Sequence, residues 1–315
     1  MVAVGGNALT VRGQSGTAAE ISANATRAAR SVAQLFTAGW RLAVVHGNGP
    51  QVGNLAIQQH AAQDQVPPQP LCDLSAMTQG QLGSVLVRAL DDLLRPGTAV
   101  AVVTHVLVDL TDPAFAHPTK PIGPFLSREQ ALELARQRGY EVAEDAGRGW
   151  RRVVASPLPV QIVELDAVRA LLATGCVVLA AGGGGVACAT GPDGRLLGVD
   201  AVIDKDLTAA LLATSIGASD LYLLTDVDSV MLDFATPQQR PVHTLSVREA
   251  QQHLSDGHFA VGSMGPKVTA ALAFLRNGGE RVVITSADRL AAAVAGEAGA
   301  GTSIRPAAAG ADVAS

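Results

Sequence analysis

Lysine is nearly absent from this 315-residue chain: of 23 positive side chains only Lys120, Lys205 and Lys267 are lysines, and the other 20 are arginine. An ammonium is a compact point charge that can follow a moving phosphoryl group, whereas a guanidinium is a wide planar fork, so the two do not exchange freely in a tight site. A count this small is also compatible with chance survival. Lys205 stands between two carboxylates, Asp204 and Asp206, at what reads as a helix entry, with Asp204 at the N-cap position. Lys267 follows Gly262, Gly265 and Pro266 and falls in the first turn of an apolar helix, Val268 to Leu275. Lys120 lies in a proline-stiffened segment, Pro118 to Pro124.

Glycine-rich junctions accompany these charges. Val177 to Ala181 reads as a buried strand and runs into Gly182, Gly183, Gly184 and Gly185. Bare backbone N–H groups with no Cβ nearby can cradle an anion, although a glycine-rich turn after a core strand would look the same. A dinucleotide fingerprint fits Gly182, Gly184 and Ala187 by spacing, but the turn Thr190 to Gly194 stands where that motif needs a helix, so a nicotinamide cofactor is rejected. Two further junctions lie in the first fifty residues: Val2 to Val4 into Gly5, Gly6 and Asn7, and Arg41 to Val45 into His46, Gly47, Asn48 and Gly49. Strand, glycine loop and helix N-terminus favour phosphate through both bare amides and the helix dipole. Open α/β sheets bind ligands at the carboxyl ends of their strands, so a parallel sheet with one ligand edge is expected.

The elements that would position these loops follow in order. Helices are predicted over Glu20 to Thr37, with Ile21, Ala25, Ala28, Val32 and Leu35 on one face, and over Asp73 to Leu94, Leu165 to Thr174 and Ser246 to Ser255. Strands are predicted over Ala99 to Val108, Leu221 to Leu224 and, as the last clear one, Arg281 to Ile284. Between Asp109 and Pro159 prolines and charges dominate around a short helix near Ser127 to Arg138. Such long insertions in compact domains are more often lids or binding loops than idle linkers. A lid free to swing would carry Lys120 to a small substrate.

Composition excludes several classes. A net charge of −5 argues against a nucleic-acid footprint, and no apolar run is long enough for a membrane span. Cys72, Cys176 and Cys188 have no metal-ligand spacing and fit a reducing compartment, and no secretion signal is evident, so a cytoplasmic chain is expected.

Taken jointly, Gly5 to Leu9, His46 to Gly53, Asp112 to Phe115, Pro118 to Phe125, Glu144 to Arg151, Gly182 to Gly185, Ala201 to Asp206 and Gly257 to Lys267 resemble the carbamate kinases of the amino-acid-kinase family. The resemblance implies a three-layer α/β/α sandwich about a mostly parallel sheet, formed by residues 1–306, with residues 109–159 as a protruding lid subdomain, 307–315 as a frayed tail, and a homodimer. It implies reversible phosphoryl transfer between ATP and carbamate, often run from carbamoyl phosphate and ADP and tied to arginine catabolism. By it Lys120, Lys205 and Lys267 handle the phosphoryl group and Asp206 positions lysines. Gly5, Gly6, Asn7, Gly47, Asn48, Gly49 and Gly182 to Gly184 would bind substrate or phosphate. Thr225, Asp226, Asp228, Met264 and Gly265, with Lys205 and Lys267, would line the nucleotide side.

Magnesium would be held by phosphates and water, with no protein metal site. His46 is expected to order its loop through a hydrogen bond rather than act as a base. Departures from the family pattern stand at His105, Leu110, Leu158, Ala181, Ser229 and Val261, and the family strand before Gly5 is usually longer, which suggests a misassigned start codon or a weakened edge. A kinase of another small carboxylate and a nucleotide-binding paralogue without turnover remain as alternatives.

Overall fold

The computed structural model describes residues 1–306 apart from 12, 146–148, 235 and 260–263. The expected tail 307–315 and the motif residues Ala146, Gly147, Arg148, Val261, Gly262 and Ser263 therefore lie outside the described residues.

An eight-stranded sheet forms the middle layer. Its strands in chain order are β1 (Val2–Val4), β2 (Ala43–His46), β3 (Ala99–Ala101), β4 (Val177–Leu179), β5 (Asp220–Thr225), β6 (Thr244–Ser246), β7 (Arg281–Ser286) and β8 (Thr302–Arg305). In space they run β6-β8-β7-β5-β1-β2-β4-β3, parallel throughout except for the antiparallel pair β7 and β8. Parallel central strands are apolar on both faces because helices cover both. In β1, Ala3 joins a core with Val168, Leu212 and Leu272, while Val2 and Val4 join one with Ile21, Val32 and Leu86 on the opposite face. Burying a valine of this kind contributes about 1.5–3 kcal/mol.

The helices form where the sequence signals them. Helix α1 (Ala18–Thr37) opens on a capping box in which the Glu20 N–H donates to the Thr17 hydroxyl and the Thr17 N–H donates to the Glu20 carboxylate. It buries Ile21, Ala25, Ala28, Val32 and Leu35, the face its periodicity predicts. Helices α2 (Gly49–Ala62), α3 (Leu71–Leu93), α4 (Arg128–Arg138), α5 (Leu165–Ala173), α6 (Lys205–Ser215), α7 (Val247–Ser255), α8 (Met264–Arg276) and α9 (Leu290–Ala295) complete the helical set among the described residues.

Two strand expectations are corrected. The strand predicted over Ala99 to Val108 breaks in two, because at Thr104 the backbone leaves the main sheet: its N–H and C=O both bond the Gln79 side chain, at 2.9 and 3.1 Å. His105–Leu107 then joins a second sheet, between Val186–Thr190 and Gln161–Ile162. Nor is Arg281–Ser286 the last strand, since β8 inserts between it and β6.

Residues 120–154 make a separate antiparallel sheet, with Lys120–Leu126 and Glu141–Glu144 on either side of Trp150–Val154, and α4 packed against it. This sheet leans on α2 at one very close point. A Cβ on Gly53 would collide with the backbone of Gly123, itself at φ +77°, so glycine is required on both sides of the contact.

Candidate active site

Strands β5, β1, β2 and β4 are neighbours and parallel, so the loops that leave their carboxyl ends emerge along one edge. These loops hold Thr225 to Asp228, Gly5 to Asn7, Gly47 to Gly49 and Gly182 to Gly185. Parallel pairing therefore assembles at one edge four segments that are far apart in sequence. Gly6, Asn7 and Ala8 form a 3₁₀ turn, and Asn48 is the N-cap residue of α2.

The glycines interlock. A Cβ on Gly47 would strike the Gly6 backbone, one on Gly182 the His46 ring, one on Gly183 the Asn48 amide and one on Gly184 the Ile203 carbonyl. Gly183 and Gly184 also sit at φ +69° and +100°, and the residue before the run, Ala181, adopts φ +52°. Two tethers fix the assembly: Asn48 Nδ2 donates to the Thr78 hydroxyl at 2.8 Å, and the Thr208 hydroxyl donates to the Gly184 carbonyl at 3.0 Å.

His46 is the floor under Gly182, buried, with Nδ1 3.1 Å from the Gly47 carbonyl. Burial, reinforced by the Lys205 charge and only partly offset by the Gly47 carbonyl, lowers its imidazole from 6.5 to about 4. The ring is neutral at pH 7 and contributes shape and a hydrogen bond, not a charge. Because the folded value lies below the unfolded one, only the unfolded chain binds this proton between pH 6.5 and 4, so stability is present above pH 6.5 and is lost as pH falls through that window. His46 alone should account for about 2 kcal/mol of the stability lost between pH 7 and pH 5. Denaturant midpoints at the two pH values should therefore differ less for His46→Asn than for the parent; equal differences would refute the assignment.

The lysines gather at the start of α6. Asp206, with its side chain 5% exposed, receives Lys205 Nζ on Oδ1 at 2.8 Å and Lys267 Nζ on Oδ2 at 3.0 Å. Lys267 arrives from the first turn of α8, which packs along α6. Burial pushes the Asp206 carboxyl up, but the two ammoniums overcome it and hold the group well below the usual carboxylate range. Asp206 thus stays ionised and fixes two charges about one carboxylate. Burial and the neighbouring Lys267 charge lower the Lys205 ammonium despite Asp206.

Lys120 comes from the small sheet to the same helix end, with Nζ 2.6 Å from Asp204 Oδ2. Lys120 lies at the root of the insertion, not its tip. It pairs with Val154, and the next residue, Ala155, accepts the Val202 N–H at 3.0 Å. Ile122, Val154 and Val202 share an apolar cluster with Val52, Leu71 and Leu74, which packs the strand carrying Lys120 against the body with its ammonium on Asp204.

On the expected nucleotide side, Thr225 ends β5, Asp226 and Asp228 are exposed beyond it, and Met264 and Gly265 open α8, which packs on β5 and β7. Among the departures, buried Ser229 lies 3.3 Å from His243 Nδ1, and His105 pairs with Glu164 at 2.7 Å in the second sheet.

The carboxylates beside the lysines are committed: Asp206 to two ammoniums, Asp204 to Lys120 and to backbone amides. They do not fit a protein-held magnesium site. A group with metal-capable donors, His253, Asp256 and His258, does come together at the end of α7, unforeseen from the sequence. Two of its members have partners, His258 on Asp233 at 3.2 Å and Asp256 on Gln252 at 2.9 Å, whereas the buried His253 Nδ1 has none. A cavity of about 420 Å³ opens around Met1, Arg169 and Tyr222 at the amino edge of the sheet, and none of the lysines lines it. Sequence reasoning also missed that Asp204 faces Lys120; the only signal was an acid beside the catalytic-type pair, which an N-cap already explained.

The model of the amino acid kinase family matches residues 1–286. A carbamate kinase of Pyrococcus horikoshii is 42% identical over 305 residues, covering 95% of this chain and 97% of that protein, and one of Thermococcus kodakarensis is 43% identical over 306 residues, with the same coverage. Among solved structures, carbamate kinase from Giardia lamblia bound to citric acid superposes with a TM-score of 0.91 at 37% identity over 97% of both chains. The same enzyme bound to AMP-PNP gives 0.88 at 38% identity, again over 97% of both. With its sheet, its converging glycine loops and these relatives, the chain belongs to the amino acid kinase family, among the carbamate kinases.

Proposed function

We propose that the chain transfers a phosphoryl group reversibly between ATP and carbamate, run chiefly from carbamoyl phosphate and ADP towards ATP. The observation that carries this reading is the set of three ammoniums held on Asp204 and Asp206 beside an edge of glycine loops. Phosphoryl transfer needs little covalent help; it needs the donor and acceptor oxygens in line and positive charge around the equatorial oxygens. Three ammoniums against two carboxylates leave one net positive charge, preorganised to attract and steady an anion.

In this reading Lys205 and Lys267 follow the group in flight, Asp206 spaces them, and Lys120 faces the carbamate side. Backbone N–H groups at Gly5 to Asn7, Asn48, Gly49, Gly182 and Gly183 donate to phosphate or carbamate oxygens, while Gly47 and Gly184, whose N–H groups bond the Val4 and Ala181 carbonyls, shape the cradle instead. Thr225, Asp226, Asp228, Met264 and Gly265 border the nucleotide. Magnesium, needed to offset phosphate charge, would come in with the nucleotide and be held by phosphates and water, since the lysine-bound carboxylates have no free oxygen to offer.

Purified protein given carbamoyl phosphate, ADP and magnesium should form ATP in a coupled assay. Folded protein that binds ADP but turns over no faster than carbamoyl phosphate breaks down spontaneously would overturn the proposal in favour of a non-catalytic nucleotide binder. A homodimer and a cytoplasmic setting belong to the same proposal. Exposed apolar side chains on and beside the second sheet, Val160, Leu196 and Leu197, offer surface for a second copy, and among the described residues no helix is long and apolar enough to cross a membrane. Sedimentation at micromolar concentration should give a dimer; a monomer refutes that part.

A further inference from the structure

We propose that Asp204 is a positioning residue for Lys120, and that it aims the lysine through one carboxylate oxygen while the other caps the helix that presents Lys205. This rests on the reading of Lys120 as a phosphoryl-handling group of a carbamate kinase. The two oxygens of Asp204 have separate tasks. Oδ1 accepts the Asp206 N–H at 2.9 Å and, more weakly, the Leu207 N–H at 3.4 Å, which is the capping task. Oδ2 accepts Lys120 Nζ at 2.6 Å. The Asp204 side chain is 14% exposed and that of Lys120 32%, so the contact is partly shielded from solvent on the carboxylate side.

The geometry gives this contact a purpose beyond capping. Capping alone requires a single acceptor oxygen, which serine or asparagine supplies as well. The backbone at Lys120 is fixed by its pairing with Val154 and by the apolar cluster around Ile122, so the remaining freedom is in the four-carbon stem. A lysine stem ranges over many rotamers, and holding it in one before substrate arrives removes that disorder from the chemical step. An ammonium has three N–H donors. One spent on Asp204 leaves two for a phosphoryl or carbamate oxygen, so Asp204 need not release the lysine when substrate binds. Asp206 does the same for Lys205 and Lys267 two residues further on, so the start of α6 holds all three ammoniums.

The test is a double-mutant cycle on the purified protein with carbamoyl phosphate, ADP and magnesium. Asp204→Asn keeps the cap and removes the charge facing Lys120. It should lower kcat about 20-fold, with KM for ADP within twofold and a melting temperature within a few degrees of the parent. Lys120→Ala should lower kcat further, and adding Asp204→Asn to it should cost less than threefold more, because a residue that acts through Lys120 has nothing left to act on. Asp204→Ser, which caps through a hydroxyl, should behave like the Asn variant and serves if that variant folds poorly. Equal losses from Asp204→Asn with and without Lys120 would overturn the proposal and assign Asp204 to the cap alone, as would an unimpaired Asp204→Asn. An inactive parent, or an unimpaired Lys120→Ala, would instead refute the underlying reading.

Discussion

Lys205→Arg should lose at least about two orders of magnitude in kcat while melting within a few degrees of the parent, although the substitution conserves charge. Lys205 Nζ sits 2.8 Å from Asp206 Oδ1 on a side chain 13% exposed, at the first position of α6. A guanidinium placed there must either push its wide fork past Asp206 or turn it away, and in both cases the charge leaves the point the ammonium held. Removing one preorganised donor to transition-state charge costs roughly 3 kcal/mol, which is the expected loss in rate. A mutant rate within threefold of the parent would mean that lysine survived here by chance.

Lys120→Ala and Lys267→Ala should separate by which substrate they affect. Lys267 enters on α8, the helix that also carries Met264 and Gly265, and shares Asp206 with Lys205. Its removal takes one desolvated charge-assisted hydrogen bond from the nucleotide phosphates, about 1.5–3 kcal/mol, so ADP affinity should fall at least tenfold along with turnover. It also leaves Asp206 with a single ammonium. Lys120 touches Asp204 rather than Asp206, through a strand packed against α2 and α3. Its removal should cut turnover with carbamoyl phosphate while ADP binding, read by calorimetry, stays within about twofold. Equal losses of ADP affinity in the two variants would place Lys120 at the nucleotide and refute the division.

The sequence made some of this legible and not the rest, for physical reasons. The glycine junctions after β1, β2 and β4 could be read because each glycine run begins within three residues of the end of its strand, and after β2 a helix start follows directly. The helices could be read because caps such as Thr17 with Glu20 and faces such as Ile21 to Leu35 are local patterns. The sheet switch at Thr104 could not, since it depends on Gln79, which reaches both backbone groups of one residue from 25 positions away. Strand β8 escaped because its partners in β6 and β7, not its own short and unremarkable sequence, define it. The pairing of Lys120 with Asp204 spans 84 positions and joins two features that had each been given a sufficient local explanation, a stiff proline segment and a helix cap. The anchoring of the insertion's root by Ile122 and Val154 was hidden for the same reason, being a property of tertiary contact.

Arginine carries the remaining positive charge of this protein, so every ε-amine it possesses stands at the head of α6 or within one contact of it. Guanidinium groups are inert to the acylating reagents that modify lysine. A reagent of that kind therefore addresses in this chain the three-lysine cluster at the start of α6 and no other ε-amine. Most proteins scatter dozens of such amines over their surface, and labelling them averages over the whole molecule. Here the same reaction, followed by mass spectrometry, becomes a direct gauge of whether the three ammoniums are covered, with Lys120, Lys205 and Lys267 distinguishable as separate peptides.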